Sequence, residues 1–166
     1  MIGRATFSDE DPPLYRYTLT REWARDLPFV AFVGLNPSTA DATQDDNTIR
    51  RCIRFAQSWD KGGLVMLNLF AYRSTDPRAL ADADIDQVGP RNDQALAQEC
   101  QGRLVVACWG TWGSIHGRAQ RVIDSGVLGD YRVLHLTKDG DPGHPLRLPK
   151  TRAPMHPDVA RALGPW

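Results

Sequence analysis

An apolar run passes directly into a polar loop in the segment FVAFVGLNPSTAD, residues 29–41. Residues 29–35 are apolar or glycine and rich in valine and phenylalanine, which predicts a buried β-strand. Asn36, Pro37 and Ser38 follow as turn-forming residues that end such a strand. The segment therefore predicts a strand that carries a polar loop at its carboxyl end.

Three further apolar runs have the same character, at residues 64–70, 104–109 and 131–136. They are nearly continuous rather than alternating, as expected for parallel strands covered on both faces. Helical patterns separate them, over residues 49–59 with Asp45 or Asp46 as N-cap, after Pro90, and over residues 114–124. The alternation predicts an α/β fold, a three-layer α/β/α domain with a central, mainly parallel, four-stranded sheet.

The length of 166 residues fits one domain over residues 1–166, with residues 1–28 as an N-terminal extension. In this extension Tyr15, Tyr17 and Leu19 alternate with polar residues. That pattern predicts one half-exposed strand, at an antiparallel edge of the sheet.

The composition favours a globular domain over a membrane-spanning protein. Apolar residues make up 42% and charged residues 24%, which is typical of globular domains. No apolar run approaches the ~18 residues of a membrane span and no secretory signal is evident, so we expect a cytoplasmic protein that does not bind membranes. Twenty basic and twenty acidic residues cancel, which disfavours nucleic-acid binding through bulk charge alone.

Metal and cofactor sites are not predicted. Cys52, Cys100 and Cys108 are odd in number and form no Cys-x-x-Cys pair, so Cys52 and Cys108 are expected to be reduced core thiols. Asp45 or Asp46 is explained by helix capping and Asp41 by a solvated turn, so no metal is expected there. Dinucleotide, P-loop and nucleophile-elbow motifs do not occur, and no cofactor is expected.

Polar side chains follow three of the predicted strands. Asn36 lies after the first, Asn68 within the end of the second, and His144 in the Gly/Pro-rich loop after the fourth. Taken one at a time, each of these side chains is explained as a turn former or a loop residue. Because ligands of open α/β sheets bind beyond the carboxyl ends of the strands, the three together predict a binding site.

The motifs Gly-x-Asn-Pro at 34–37, Leu-Asn at 67–68, Trp-Gly at 109–110 and His-Pro-x-x-Leu at 144–148 resemble those of the uracil-DNA glycosylase superfamily. A closer resemblance, over nearly the whole chain, is to an uncharacterised bacterial and phage family catalogued as a domain of unknown function. It is based on the sequences LNPSTAD at 35–41, NLFA at 68–71, TDP at 75–77 and LTK at 136–138.

The superfamily resemblance implies a uracil-DNA glycosylase-like fold and specific roles. Asn36 falls where a side chain orients the attacking water, and Asn68 where an amide reads the Watson–Crick edge of an extruded base. His144 falls where an imidazole donates to the departing base, and Leu148 where an apolar wedge enters the base stack. Gly34, Pro37 and Gly110 would shape the pocket.

Other residues complete the predicted site. The candidate stacking rings are Phe70, Tyr72 and Trp109. The candidate DNA contacts are Ser38, Arg147, Lys150 and Arg152. A neutral amide such as Asn36 orients water but cannot accept its proton, so a slow enzyme that needs a good leaving group is expected.

Three functions are compatible with these residues. The first is a monomeric DNA glycosylase-like hydrolase that removes uracil or another altered base. The second is a non-catalytic protein that binds a nucleobase, a nucleotide or damaged DNA in the same crevice. The third is another reaction on a free nucleoside or nucleotide, with Ser38 or Thr39 and arginine at a phosphate.

Overall fold

The computed structural model describes residues 1–165 as a mixed α/β fold around a six-stranded sheet. The strands are β1 (Ile2–Phe7), β2 (Arg16–Glu22), β3 (Phe29–Gly34), β4 (Gly63–Asn68), β5 (Leu104–Ala107) and β6 (Arg132–Val133). The α-helices are α1 (Asn47–Ser58), α2 (Asn92–Cys100), α3 (Arg118–Asp124) and α4 (Pro157–Leu163). The spatial order of the strands is β1-β2-β4-β3-β5-β6.

The middle of the sheet is parallel, as the sequence predicts. β3 pairs in parallel with β4 on one side and with β5 on the other, and β5 pairs in parallel with β6. The four predicted strands correspond to β3, β4, β5 and β6. The prediction of four strands is wrong, however, because β1 and β2 extend the same sheet to six.

The N-terminal extension contains a hairpin rather than a single edge strand. β1 pairs antiparallel with β2, and β2 pairs antiparallel with β4, so β1 forms the edge. Arg16, which a half-exposed strand would place in solvent, is 3% exposed, and Arg21 on the same strand is 2% exposed. The loop before α1 accepts hydrogen bonds from both arginines, and Tyr17 packs in an apolar cluster with Ala95 of α2, so β2 is largely buried.

Helix α1 forms as its pattern predicts. Asp46 is the N-cap, and its carboxylate accepts a hydrogen bond of 2.8 Å from the Ile49 backbone N–H. The buried face carries Ile49, Cys52, Ile53 and Ala56. Asp45, the alternative cap, instead forms an ion pair of 2.8 Å with Arg21.

The other two predicted helices are present with changed bounds, whereas α4 was not predicted from the sequence. α2 begins two residues after Pro90, as expected. The helix predicted over 114–124 is divided into a 3₁₀ segment, Thr111–Gly117, and α3. Within residues 1–165 none of the helices has the length and apolar character needed to cross a bilayer.

Alternate residues of the strands belong to two separate apolar clusters. In β3, Val30 and Phe32 pack in the cluster that contains α1 residues. Ala31 and Val33 pack in the cluster that contains residues of α2, α3 and α4. Burial on both sides explains why the strands read as continuous apolar runs.

The cysteines are core thiols. Cys52, Cys100 and Cys108 are free and buried, which confirms the prediction for Cys52 and Cys108. Burial raises the pKa of Cys108 to about 12 and that of Cys100 to about 11.

Substitution of Leu19 tests the position of β2 in the sheet. Leu19 is fully buried, so Leu19→Ala should lower the free energy of unfolding by about 2–5 kcal/mol, measured by urea denaturation. Leu14→Ala is the matched control, because Leu14 is 46% exposed and its truncation should change stability by no more than about 0.5 kcal/mol. Equal effects of the two substitutions would contradict the buried position of β2.

Candidate functional site

A cavity of about 380 Å³ opens beyond the carboxyl ends of β3, β4 and β5. Its volume lies in the range of small-molecule sites. Of the residues predicted from sequence, the cavity is lined by Gly34, Asn36, Ser38, Asn68, Trp109, Gly110 and His144. The structure thus brings the two amides and the imidazole to one cavity, and we refer to it as the site cavity.

Asn68 is placed by strand register. It is the last residue of β4 and pairs with Gly34 of β3, which also lines the site cavity. A Cβ atom on Gly34 would lie 3.1 Å from the Asn68 Oδ1 atom, so glycine leaves room for the amide. Asn68 is 3% exposed, and its Nδ2 atom has no hydrogen-bond partner among the described residues. A buried amide without a partner is costly, and a ligand acceptor would relieve that cost.

Buried polar contacts fix the turn after Asn68. Asn92 Nδ2 donates hydrogen bonds of 3.0 Å to the carbonyl oxygens of Asn68 and Leu69. Arg118 Nε donates to the Leu69 carbonyl at 2.8 Å. Sequence reasoning missed Asn92 and Arg118, because each lies on a helix with no local motif and acts through a distant backbone group.

Asn36 uses its amide nitrogen to hold the loop. Its Nδ2 atom donates to the Ser74 carbonyl at 2.8 Å and to the Pro37 carbonyl at 3.2 Å, with the Tyr72 carbonyl at 3.5 Å. Because carbonyl oxygens surround it, this atom must be the donor nitrogen. The Oδ1 atom accepts no hydrogen bond within residues 1–165, and it is the part of Asn36 that can receive one from a ligand or a water molecule.

His144 lies at the wall of the same cavity as a neutral donor. Its Nδ1 atom accepts a long hydrogen bond of 3.4 Å from the Leu146 N–H, so the neutral ring carries its proton on Nε2. The residue keeps part of its surface exposed, but the flanking protein atoms partly desolvate the ring and lower its pKa. His135 lowers the pKa further, while Asp46 opposes both effects.

The loop that carries His144 is joined to the end of β5. The Gly110 N–H donates to the Pro142 carbonyl at 2.8 Å. Gly110 has φ 73° and ψ −169°, a conformation essentially restricted to glycine. Gly143 is packed so closely that a Cβ would lie 2.0 Å from the His135 ring. Both glycines are therefore required by local geometry.

Several lining residues were not predicted as site residues. The apolar wall includes Ile49, Met66 and Trp112, and Trp112 is 42% exposed. Asp46 lines the site cavity and contributes its only carboxylate among the described residues. Arg16, at the start of β2, also lines it. Asp46 was recognisable in the sequence as a helix cap, but nothing local places it beside His144.

Other predicted base-pocket residues do not line the site cavity. Phe70 is 1% exposed and packs in the apolar core. The Tyr72 ring lies edge-on to Tyr15, with centroids 6.3 Å apart. Pro37 contributes to the site through its carbonyl, which binds Asn36.

The predicted DNA contacts after His144 lie elsewhere. Leu148 is 6% exposed and packs in the core cluster that contains α1, so the structure presents no wedge at this position. Arg147 is exposed and lines a separate groove beside α1. Lys150 is exposed outside both cavities, while the Arg152 carbonyl accepts a hydrogen bond of 3.1 Å from Trp59.

Comparison with known families matches residues 16–146 to a family described as a protein of unknown function, DUF1643. Because the match covers most of the chain, the protein belongs to this family. All residues that line the site cavity lie within the matched range. Neither a curated protein nor a solved structure matches the chain.

The lowered pKa of His144 predicts a specific pH dependence of stability. Folding disfavours the protonated ring, so its contribution is present above the unfolded-state value near 6.5 and is lost as the pH falls through the lower folded-state pKa. In His144→Gln this part of the pH dependence should disappear, and urea midpoints at pH 7 and pH 5 should differ less than in the wild type. The same pH difference in both proteins would contradict the partial desolvation of this ring.

Proposed function

We propose that the site cavity binds a single nucleobase and that the protein hydrolyses the N-glycosidic bond of uracil or another altered base in DNA. The observation that carries this proposal is the buried, unpartnered Asn68 amide in a cavity that also contains Asn36 and His144. An amide presents a donor and an acceptor side by side, which complements the edge of a planar base.

His144 complements the charge that develops on a departing base. When a C1′–N bond breaks, its electron pair remains on the base nitrogen and spreads to the base carbonyl oxygens. A neutral imidazole that donates a hydrogen bond through Nε2 stabilises this negative charge. The lowered pKa keeps His144 in that neutral form at pH 7.

The attacking water needs both an orienting group and a proton acceptor. Asn36 Oδ1 supplies the first, because it accepts a hydrogen bond from water. Asp46 supplies the second, since one of its carboxylate oxygens caps α1 through Ile49 and the other has no partner within residues 1–165. The water oxygen bonds to C1′, its proton passes to Asp46, and that proton is finally returned to the departed base.

An arginine-rich groove beside the His144 loop favours DNA as the polymer. The groove is lined by Asn47, Arg50, Arg51, Arg54, Leu146, Arg147 and Leu148. Its four arginines form no ion pair among the described residues, in a chain of zero net charge. Unpaired guanidinium groups suit backbone phosphates. Leu146, 37% exposed, is the apolar side chain on this loop that can enter a base stack.

The proposal extends to the fold. We propose that the sheet and its helices form the three-layer α/β/α arrangement of the uracil-DNA glycosylase superfamily. The division of strand residues between two apolar clusters supports this proposal, since each cluster contains helical residues.

A non-catalytic nucleobase-binding protein is the second candidate function. It is favoured by the Asn36 amide nitrogen, whose hydrogen bonds to the Ser74 and Pro37 carbonyls give this residue a structural role. Such a protein would bind a base through Asn68 and leave the glycosidic bond intact.

The glycosylase proposal predicts abasic sites in oligonucleotides that contain one altered base. Wild-type protein is incubated with strands bearing uracil, hypoxanthine or a hypermodified pyrimidine, and alkali-cleaved products are separated on gels. Asp46→Asn retains a good helix cap but removes the proton acceptor, so the rate should fall by about 10²–10⁴-fold. His144→Ala should also slow cleavage, because the base loses its donor.

Asp60→Asn is the matched control, because Asp60 is exposed and lies outside the site cavity, and its rate should equal that of the wild type. Base binding that depends on Asn68 without any abasic product would establish the second candidate. Failure of the wild type to bind or cleave every base tested would contradict both.

A further inference from the structure

Arg16 is a buried cation with little protein compensation. It is 3% exposed and lines the site cavity. Its Nη1 atom donates a hydrogen bond of 2.6 Å to the Ala40 carbonyl, whereas its Nε atom is buried without a partner. Within residues 1–165 no carboxylate lies in ion-pair distance of this guanidinium.

A second buried arginine on the same strand, Arg21, has both a counter-ion and hydrogen-bond acceptors. Arg21 has a side chain that is 2% exposed, and it forms an ion pair of 2.8 Å with Asp45. It also donates to the Asp41 and Thr20 carbonyls. Of these two buried arginines of β2, only the one that lines the site cavity lacks a counter-ion.

Leaving a buried charge without a counter-ion is unfavourable. The pKa of Arg16 is lowered to about 10, chiefly by desolvation, with Arg73 and Arg21 acting in the same direction and Asp46 and Asp41 opposing them. The guanidinium is still protonated at neutral pH. This cavity-lining residue therefore keeps its positive charge, and its buried Nε–H donor stays unsatisfied, at neutral pH.

The start of α1 adds to the positive potential. Asp46, Thr48 and Ile49 of its first turn line the site cavity, and the N-terminal end of a helix carries a partial positive charge. Ser38 and Thr48 supply hydroxyl groups to the same wall. The Asp46 carboxylate would repel an anionic ligand in the site cavity, but it forms no ion pair with Arg16 among the described residues.

We infer that the ligand of the site cavity carries an anionic group, a phosphate or a carboxylate, that pairs with Arg16. This inference rests on the proposed nucleobase site and specifies its substrate class as an anionic nucleobase derivative. The anionic oxygens have two sources, a phosphate on the sugar of a nucleotide or a carboxylate on the base itself. A guanidinium fork binds either of them in the same way.

Calorimetric titration of the intact protein with paired probes distinguishes these sources. Deoxyuridine is compared with deoxyuridine 5′-monophosphate, and uracil with 6-carboxyuracil. One anionic probe should bind about 10- to 100-fold more tightly than its neutral parent, and the pair that differs identifies the source. In Arg16→Gln this advantage should be lost, whereas Arg25→Gln, an exposed arginine outside the site cavity, should retain it.

A second measurement does not depend on the folding of Arg16→Gln. In wild-type protein the Arg16 Nε–H resonance should shift when the preferred anionic probe is added and should not shift with its neutral parent. If neither anionic probe binds more tightly than its parent while the parents bind, the inference is overturned and the nucleobase site stands. If ribose 5-phosphate binds through Arg16 as tightly as the nucleotide, the anion site stands and the proposed nucleobase function fails.

Discussion

The parallel pairing of β3 with β4 on one side and β5 on the other is the constraint on which the site depends. Parallel strands end at the same edge, so residues far apart in the chain arrive side by side. Gly34 and Asn68 are direct partners in this register. On the other side of β3, the Cys108 backbone N–H donates a hydrogen bond to the Val33 carbonyl, just before the Trp109 loop. A one-residue shift would turn the Asn68 side chain to the other face of the sheet.

Much of this arrangement could be predicted because it depends on local patterns. Continuous apolar runs identify the buried parallel strands, and the spacing of apolar residues identifies α1. The positions of Asn36, Asn68 and His144 after strands were sufficient to predict that they share one edge. The N-terminal hairpin was mispredicted because β1 is exposed or half-buried along its whole length, so no apolar run marks it, and because the burial of Arg16 depends on distant parts of the chain.

The remaining site residues depend on long-range geometry. Arg16 and Asp46 line the site cavity only because β2 lies next to β4 and because α1 begins above the ends of the parallel strands. Leu148, which the sequence resemblance proposes as a wedge, packs inward, while Leu146 is exposed. The site therefore combines amides and an imidazole, expected from sequence, with a buried cation and a carboxylate that only the tertiary structure reveals.

The most direct measurement of the central claim follows the side-chain resonances of the site during titration with uracil, thymine and hypoxanthine in turn. The Asn68 Nδ2 protons are identified by their absence in Asn68→Asp. If one planar base occupies the site cavity, the Asn68 amide and the His144 ring must shift together, with a single dissociation constant. Unchanged Asn68 and His144 resonances at saturating base, or separate dissociation constants for the two groups, would contradict the account.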